Sequence, residues 1–307
     1  MSGRPTDKST RLPDFLIIGA QKSASTFVQT VLREHPDVYM PKDETRFFED
    51  PEFGEGDSDA LRALFRGCHE RRLGIKRPDY LGRPEVPARI RRIIPDAQLV
   101  VVLRNPIDRL VSAYYFYVKL GFLPVADINV ALARLLDGEA YGGPKARELL
   151  EYGNYATHLE RYRALFPAHQ MLVLLQEEIQ ATPNDAVRRL CSFLRLEHSS
   201  LGPLPELANA GVYSLSRLQL LTLRNRFLYA YDAGSGKLIE KRRYPHRWLP
   251  VAAITALDRY VLRGLLGNDK PELRVDIRAR LESYYEQEIQ RTSELIGVDL
   301  GKWQVPR

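Results

Sequence analysis

Three short runs of the chain are apolar at nearly every position: FLIIGA (15–20), LVVVLR (99–104) and MLVLLQ (171–176). They are rich in Ile, Val and Leu, too short for core helices, and bounded by turn or charge signals. Such runs predict strands buried on both faces, as in a parallel sheet. LGIKR (73–77) predicts a weaker fourth. Between them the period changes to that of helices, over 26–34, 60–66, 86–94, 108–119, 155–166 and 185–194. In the third of these, Val86, Ile90, Ile93 and Ile94 share one face. Strand–helix alternation predicts an α/β fold: an open parallel β-sheet, like that of the P-loop proteins, flanked by helices. After about residue 210 the strand signal stops, and the pattern predicts a helical C-terminal part with its longest loop over 232–250. There is no internal repeat and no low-complexity linker. The expected organisation is a disordered tail over 1–12 and a single domain over 13–307.

A parallel sheet binds ligands beyond the carboxyl ends of its strands. Two of the predicted ends carry anion chemistry. The first strand stops at Gly19 and passes through QKSAST into a helix. Backbone N–H groups and the helix dipole favour an anion there; Lys22 adds a charge, and Ser23, Ser25 and Thr26 add hydroxyl donors. The spacing is not G-x-x-x-x-G-K-[ST], and alone it equally fits an ordinary strand-to-helix turn. The second end is in LVVVLRNPIDRLVSAYYFY. Arg104 closes a strand, Asn105-Pro106 starts a helix, and Ser112 follows Arg104 by eight residues. Arginine presents a planar fork suited to phosphate; the bland alternative is an Arg–carboxylate pair with a surface Ser. Two anion-binding tips in one sheet predict a ligand with two separate phosphate positions.

Composition narrows this picture. The 307 residues carry a net charge of +6 and a pI near 9.2, which suits an anionic ligand. The arginines are scattered, so no nucleic-acid partner is expected. Cys68 and Cys191 are the only cysteines, too few for a disulfide framework. No run approaches the ~20 apolar residues of a membrane span, and no secretory signal is visible, so the expected location is cytoplasmic.

The stretch LIIGAQKSASTFVQTVLREHPDVYMPKDETRFF followed by VVVLRNPIDRLVSAYYFY resembles the two cofactor segments of sulfotransferases that use 3′-phosphoadenosine 5′-phosphosulfate (PAPS). The resemblance is to the heparan-sulfate sulfotransferase-like branch and its soluble bacterial relatives. It runs from about residue 13 to 303 and is strongest over the first 120. It implies that Gln21, Lys22, Ser23, Ala24, Ser25, Thr26 and Phe27 bind the 5′-phosphosulfate, with Lys22 at the oxygen bridging phosphate and sulfate. It also implies that Arg104 and Ser112 hold the 3′-phosphate. Ala24 departs from the pattern, since relatives carry glycine there. Alanine resists φ > 0, so the loop is either helical at that point or adjusted in geometry.

Sulfuryl transfer requires a base for the acceptor proton, a cation for the leaving phosphate and donors for the sulfuryl oxygens. No metal is expected. The resemblance implies Glu44 as base, from the Glu-x-x-Phe-Phe spacing Glu44, Phe47, Phe48, with Arg46 in place of the family's His. Asp43 stands where relatives have Lys and is the competing carboxylate. Lys22 is the expected cation. In GIKRPDY, Lys76, Pro78 and Tyr80 match a segment near the reacting centre, while Arg77 replaces a hydroxyl residue. Arg77 is expected to face an anionic acceptor, or to form a surface pair with Lys76. Arg242 and Arg243 are expected over the nucleotide, with an acceptor rim or mere solubility as equals. A lid at 214–217 and a pocket lined by Tyr114, Tyr115, Phe116 and Tyr117 are further expectations, whereas His35, His158 and His169 are expected to be structural or solvated.

The expected function is PAPS-dependent sulfuryl transfer to a hydroxyl or amine of a small-molecule, carbohydrate or lipid-linked acceptor. Three alternatives stay open at this point: a small-molecule kinase, which needs a Mg²⁺ ligand after a buried strand; a non-catalytic nucleotide-binding module; and a basic nucleic-acid scaffold. Oligomeric state is not encoded in any feature of the sequence.

Overall fold

The computed structural model describes residues 11–54, 58–139, 141–205, 211–232, 237–240 and 248–303. The apolar runs form β1 (Phe15–Gly19), β4 (Gln98–Leu103) and β5 (Met171–Leu175), and the weaker run forms β3 (Arg72–Lys76). A two-residue strand that the pattern does not predict, β2 (Val38–Tyr39), completes the sheet. All pairings are parallel, in the order β2-β3-β1-β4-β5. Helices α1 (Ser25–Arg33), α2 (Asp59–Ala63), α3 (Val86–Ile93), α7 (Tyr155–Arg163), α8 (Gln176–Ala181) and α9 (Pro183–Leu194) join these strands or follow them.

The order places a switch point at the centre of the sheet. From β1 the chain goes out to β2 and returns by β3 on one side; from β4 it moves away to β5 on the other. Connections that diverge from two adjacent parallel strands leave a crevice above their carboxyl ends. Gly19 and Leu103 end those two strands. The pairing continues one residue past β1, where the Ala20 N–H donates to Val102 O at 2.7 Å. Beneath lies a core in which Phe15, Ile17, Val31, Leu32, Val100, Val102, Leu190 and Leu194 are buried. Each fully buried side chain of this kind contributes roughly 1.5–3 kcal/mol.

The chain falls into two compact units. The first, Met1–Asn105, Asn154–Ala208 and Glu288–Val305, holds the five-stranded sheet. The second is Pro106–Gly153, Asn209–Gln287 and Pro306–Arg307. It holds α4 (Pro106–Leu120), α5 (Ile128–Leu136), α6 (Pro144–Glu151), α10 (Leu215–Leu228), α11 (Trp248–Leu257), the short α12 (Arg263–Leu265) and most of α13 (Val275–Ile296). The expected loop over 232–250 is corrected in part. Within it and just before it, β6 (Tyr229–Asp232) pairs antiparallel with β7 (Lys237–Glu240), so strand structure does not end at 210. No helix among the described residues is long and apolar enough to cross a membrane.

Candidate active site

The β1 tip is built for close approach. A Cβ at Gly19 would lie 2.5 Å from the Leu81 Cβ, so only glycine lets the strand end pass the 78–82 turn. The loop then makes two left-handed steps, with φ of 66° at Lys22 and 62° at Ala24. Of the two options for Ala24, the adjusted geometry is the one adopted. Helix α1 starts only at Ser25, with Ala24 in the left-handed region at its N-cap. An alanine there costs about 1–2 kcal/mol that glycine would not. No side chain caps α1, so its first N–H groups remain available to an anion. Ser23 is fully buried, and its Oγ has no hydrogen-bond partner among the described residues. An orphaned buried hydroxyl inside a phosphate-type loop fits a ligand that brings an acceptor oxygen. Ser25 and Phe27 are buried; Phe27 belongs to the core beneath the sheet rather than to the loop's open side.

The second tip joins the first. Arg104 follows β4, and its Nη1 donates to the Lys22 carbonyl at 3.3 Å. Its own carbonyl accepts from the Tyr155 hydroxyl at 3.0 Å. The next residue is tied twice: the Asn105 N–H donates to Glu177 Oε1, and Asn105 Nδ2 donates to Trp303 O, each at 3.0 Å.

A cluster of charged side chains sits beside the loop. Glu44 is the outermost, its side chain 36% exposed. Lys76 Nζ lies 3.3 Å from Glu44 Oε1, and Arg77 Nη1 lies 3.0 Å from Glu44 Oε2. Lys76 Nζ also donates to Thr26 Oγ1 at 3.2 Å. Arg77 meets Glu49 through Nε at 2.6 Å and Nη2 at 3.1 Å, and Asp79 through Nη2 at 2.7 Å. Asp79 in turn accepts from Gln21 Nε2 at 2.9 Å. The result is a closed ring, Gln21–Asp79–Arg77–Glu44–Lys76–Thr26, that begins and ends on the phosphate-type loop. Burial opposes the charge on Arg77, but Asp79, Glu49 and Glu44 outweigh it and hold its pKa above the usual arginine value. Asp43, the competing carboxylate, is exposed and makes no ion pair among the described residues.

The 41–50 segment that carries Glu44 is held from below. Gln29 of α1 donates to Pro41 O at 2.9 Å. The Tyr80 hydroxyl donates to Thr45 O at 2.6 Å and accepts the Phe48 N–H at 3.3 Å. Burial pushes the Tyr80 phenol well up, which keeps it a neutral donor. Phe48 packs edge-on against Tyr80, with ring centroids 5.7 Å apart.

Several expectations change here. Lys76 and Arg77 are not a surface pair: their side chains are 5% and 12% exposed. Arg77 is turned onto three carboxylates. Two of those, Glu49 and Asp79, escaped the sequence reading. Their only signal was position, directly after Phe47-Phe48 and directly after Arg77-Pro78. In the second unit, Ser112 lies half-buried on α4. Tyr114 and Tyr117 are core residues there, their hydroxyls donating to Ala126 O at 2.8 Å and Glu148 Oε2 at 2.9 Å. Tyr115 is buried edge-on to Tyr213. Arg217 does not belong to an open lid. It is buried on α10 in a two-point ion pair with Asp258, at 2.7 and 3.1 Å. His35 is structural: Nδ1 accepts the Asp37 N–H at 3.1 Å, and Nε2 donates to Glu197 O at 3.0 Å. His158 is buried and His169 exposed. Arg242 and Arg243 lie outside the described residues.

A parallel sheet with two cationic strand tips meeting at its switch point is an α/β architecture whose crevice suits an anion. Comparison with known proteins narrows the class. The family description "Sulfotransferase domain" matches residues 84–210, a stretch that contains Arg104 and Ser112. Bovine bifunctional heparan sulfate N-deacetylase/N-sulfotransferase 2 is 30% identical over 197 residues, 60% of this chain and 22% of the relative. Mouse heparan sulfate glucosamine 3-O-sulfotransferase 6 is 33% identical over 195 residues, 61% of this chain and 53% of the relative. The chain thus spans between about a fifth and a half of the length of these relatives. Among solved structures, a sulfotransferase from Alicyclobacillus acidocaldarius shares the fold, with a TM-score of 0.67 and 23% identity over 96% of this chain and all of that one. Over these stretches the chain is similar to sulfotransferases, and it shares their fold.

Proposed function

We propose that this protein transfers a sulfuryl group from PAPS to a hydroxyl or amine of a carbohydrate acceptor. The observation that carries the reading is the Arg104–Lys22 contact, which brings two cationic strand tips to one crevice. The uncapped start of α1 and the orphaned Ser23 hydroxyl support a phosphate-like occupant of the loop. The carbohydrate comes from the relatives, whose names specify heparan sulfate.

In this reading the loop from Gln21 to Phe27 receives the 5′-phosphosulfate, and Arg104 takes the 3′-phosphate. The family resemblance adds Ser112 to the 3′-phosphate contacts. The acceptor oxygen or nitrogen attacks sulfur while the bond from sulfur to the bridging phosphate oxygen breaks. Glu44 takes the acceptor's proton, Lys22 stabilises the charge growing on the leaving phosphate, and 3′,5′-bisphosphoadenosine (PAP) departs. Lys76, ion-paired to Glu44 and hydrogen-bonded to Thr26, links base and loop.

The test is transfer from labelled PAPS across a panel of hydroxyl and amine acceptors that includes glucosamine oligosaccharides. Glu44→Gln is expected to lower turnover by about 10²- to 10⁴-fold while PAP still binds. Lys22→Ala is expected to lose both turnover and affinity. Undiminished turnover in Glu44→Gln removes Glu44 as the base. A protein that PAP stabilises no better than AMP overturns the donor assignment.

A further inference from the structure

We infer that Arg77 is a positioning residue: a buried guanidinium that holds Glu44 in place through a clamp on three carboxylates. The inference rests on the reading of Glu44 as the base. Arg77 donates three hydrogen bonds to carboxylate oxygens, one to Glu44 and two to Glu49, and its Nη2 also forms an ion pair with Asp79 at 2.7 Å. Its side chain is only 12% exposed, so the guanidinium is largely enclosed by these carboxylates.

The three carboxylates have different supports. Glu49 and Asp79 are buried, and Asp79 is tied to the loop through Gln21. Glu44 is the exposed member, held among the described residues by Lys76 and Arg77. The clamp therefore has a fixed side and a working side. Glu49 and Asp79 anchor the guanidinium, and the guanidinium fixes one oxygen of Glu44 while Lys76 fixes the other. A lysine cannot repeat this, since an ammonium has no planar fork with which to meet three carboxylates at once. Without Arg77, Glu44, Glu49 and Asp79 face one another with Lys76 as the one remaining cation of the cluster. Like charges so close push the exposed Glu44 outward.

The test is a double-substitution cycle, read on the first acceptor that the wild type sulfates. Arg77→Gln is expected to lower kcat by about 10²-fold, as misplacement of a catalytic group by an ångström does, with PAP affinity held within about twofold. In the Glu44→Gln background the same change is expected to cost less than about threefold more, because it acts through a group already removed. Multiplying losses, or lost PAP affinity in Arg77→Gln, overturn the positioning role and make Arg77 structural. If Glu44→Gln alone turns over like wild type, the base assignment falls and this inference falls with it. Arg77→Lys serves if Arg77→Gln does not fold: kcat is expected to drop at an unchanged melting temperature, and full kcat in that variant overturns the clamp. An acceptor-free arm reads the geometry directly. In PAP-bound crystals of either variant Glu44 is expected to leave its wild-type position, and an unmoved Glu44 refutes the proposal.

Discussion

Arg104 and Lys22, 82 positions apart in the chain, meet through a 3.3 Å hydrogen bond from the guanidinium to the lysine carbonyl. The bond is made to the backbone of the loop and uses one nitrogen of the fork. It therefore shapes the loop while leaving donors for a ligand. Arg104→Ala is expected to weaken PAP binding by about 10- to 10²-fold, the worth of a charge-assisted hydrogen bond. Binding of AMP, which lacks the 3′-phosphate, is expected to change far less. Calorimetric titration of both nucleotides checks the difference, and equal losses count against a 3′-phosphate contact.

The left-handed backbone at Ala24 makes a stability prediction of unusual sign. Ala24→Gly removes the clash of Cβ with the carbonyl but gives the unfolded chain more freedom to lose. The net gain is expected to be about 0.5–1 kcal/mol. A urea melt measures it. A loss of stability means that the Ala24 methyl contributes more by packing on the core below than its backbone costs.

Ser23 is expected to show the opposite balance. Its buried Oγ has no hydrogen-bond partner among the described residues. Ser23→Ala is expected to leave the free protein as stable as wild type, or up to about 1 kcal/mol more stable. PAP affinity is expected to fall by about threefold to tenfold, the worth of one net hydrogen bond. Melting curves with and without PAP separate the two effects.

Cys191 lies in the core below α1, 1% exposed, and burial pushes its thiol from the ordinary 9.0 up to about 11. The fold favours the neutral thiol. Its contribution is complete below the unfolded pKa and is lost as pH rises toward about 11, because the unfolded chain ionises first. The difference corresponds to about 3 kcal/mol. Cys191→Ala is expected to flatten the fall in stability between pH 9 and 11 relative to wild type, as measured by denaturant melts across that range. Parallel curves disprove the assignment.

The sheet was legible because buried parallel strands are apolar on both faces, as β1 and β4 are; β5 is equally apolar in sequence, although as the edge strand its first three residues are only half-buried rather than buried on both faces as expected. The two tips were legible because Lys22 and Arg104 directly follow such strands. Strand β2 is two residues long and carries no period at all. Helix α5 does carry a signal in the sequence: Asp127 caps it by accepting the Asn129 and Val130 N–H groups, in front of the apolar stretch Ile128–Leu136. The cluster around Arg77 was beyond reach for a different reason. Glu44 and Glu49 lie 33 and 28 positions from it, and a solvated glutamate and a clamped one are spelled alike. Lone charges acquire meaning only when the fold has brought their partners to them.

The ties at the β4 tip bear on how the protein is made. Asn105 is anchored to the carbonyl of Trp303, 198 positions further on, and the Tyr155 ring that braces Arg104 stands edge-on to the Trp303 indole at 6.1 Å. During synthesis the strand carrying Arg104 leaves the ribosome long before the segment that steadies it. The nascent chain must wait with a half-steadied β4 tip until almost every described residue has emerged, and a chain that lacked Trp303 would hold that arginine without this brace.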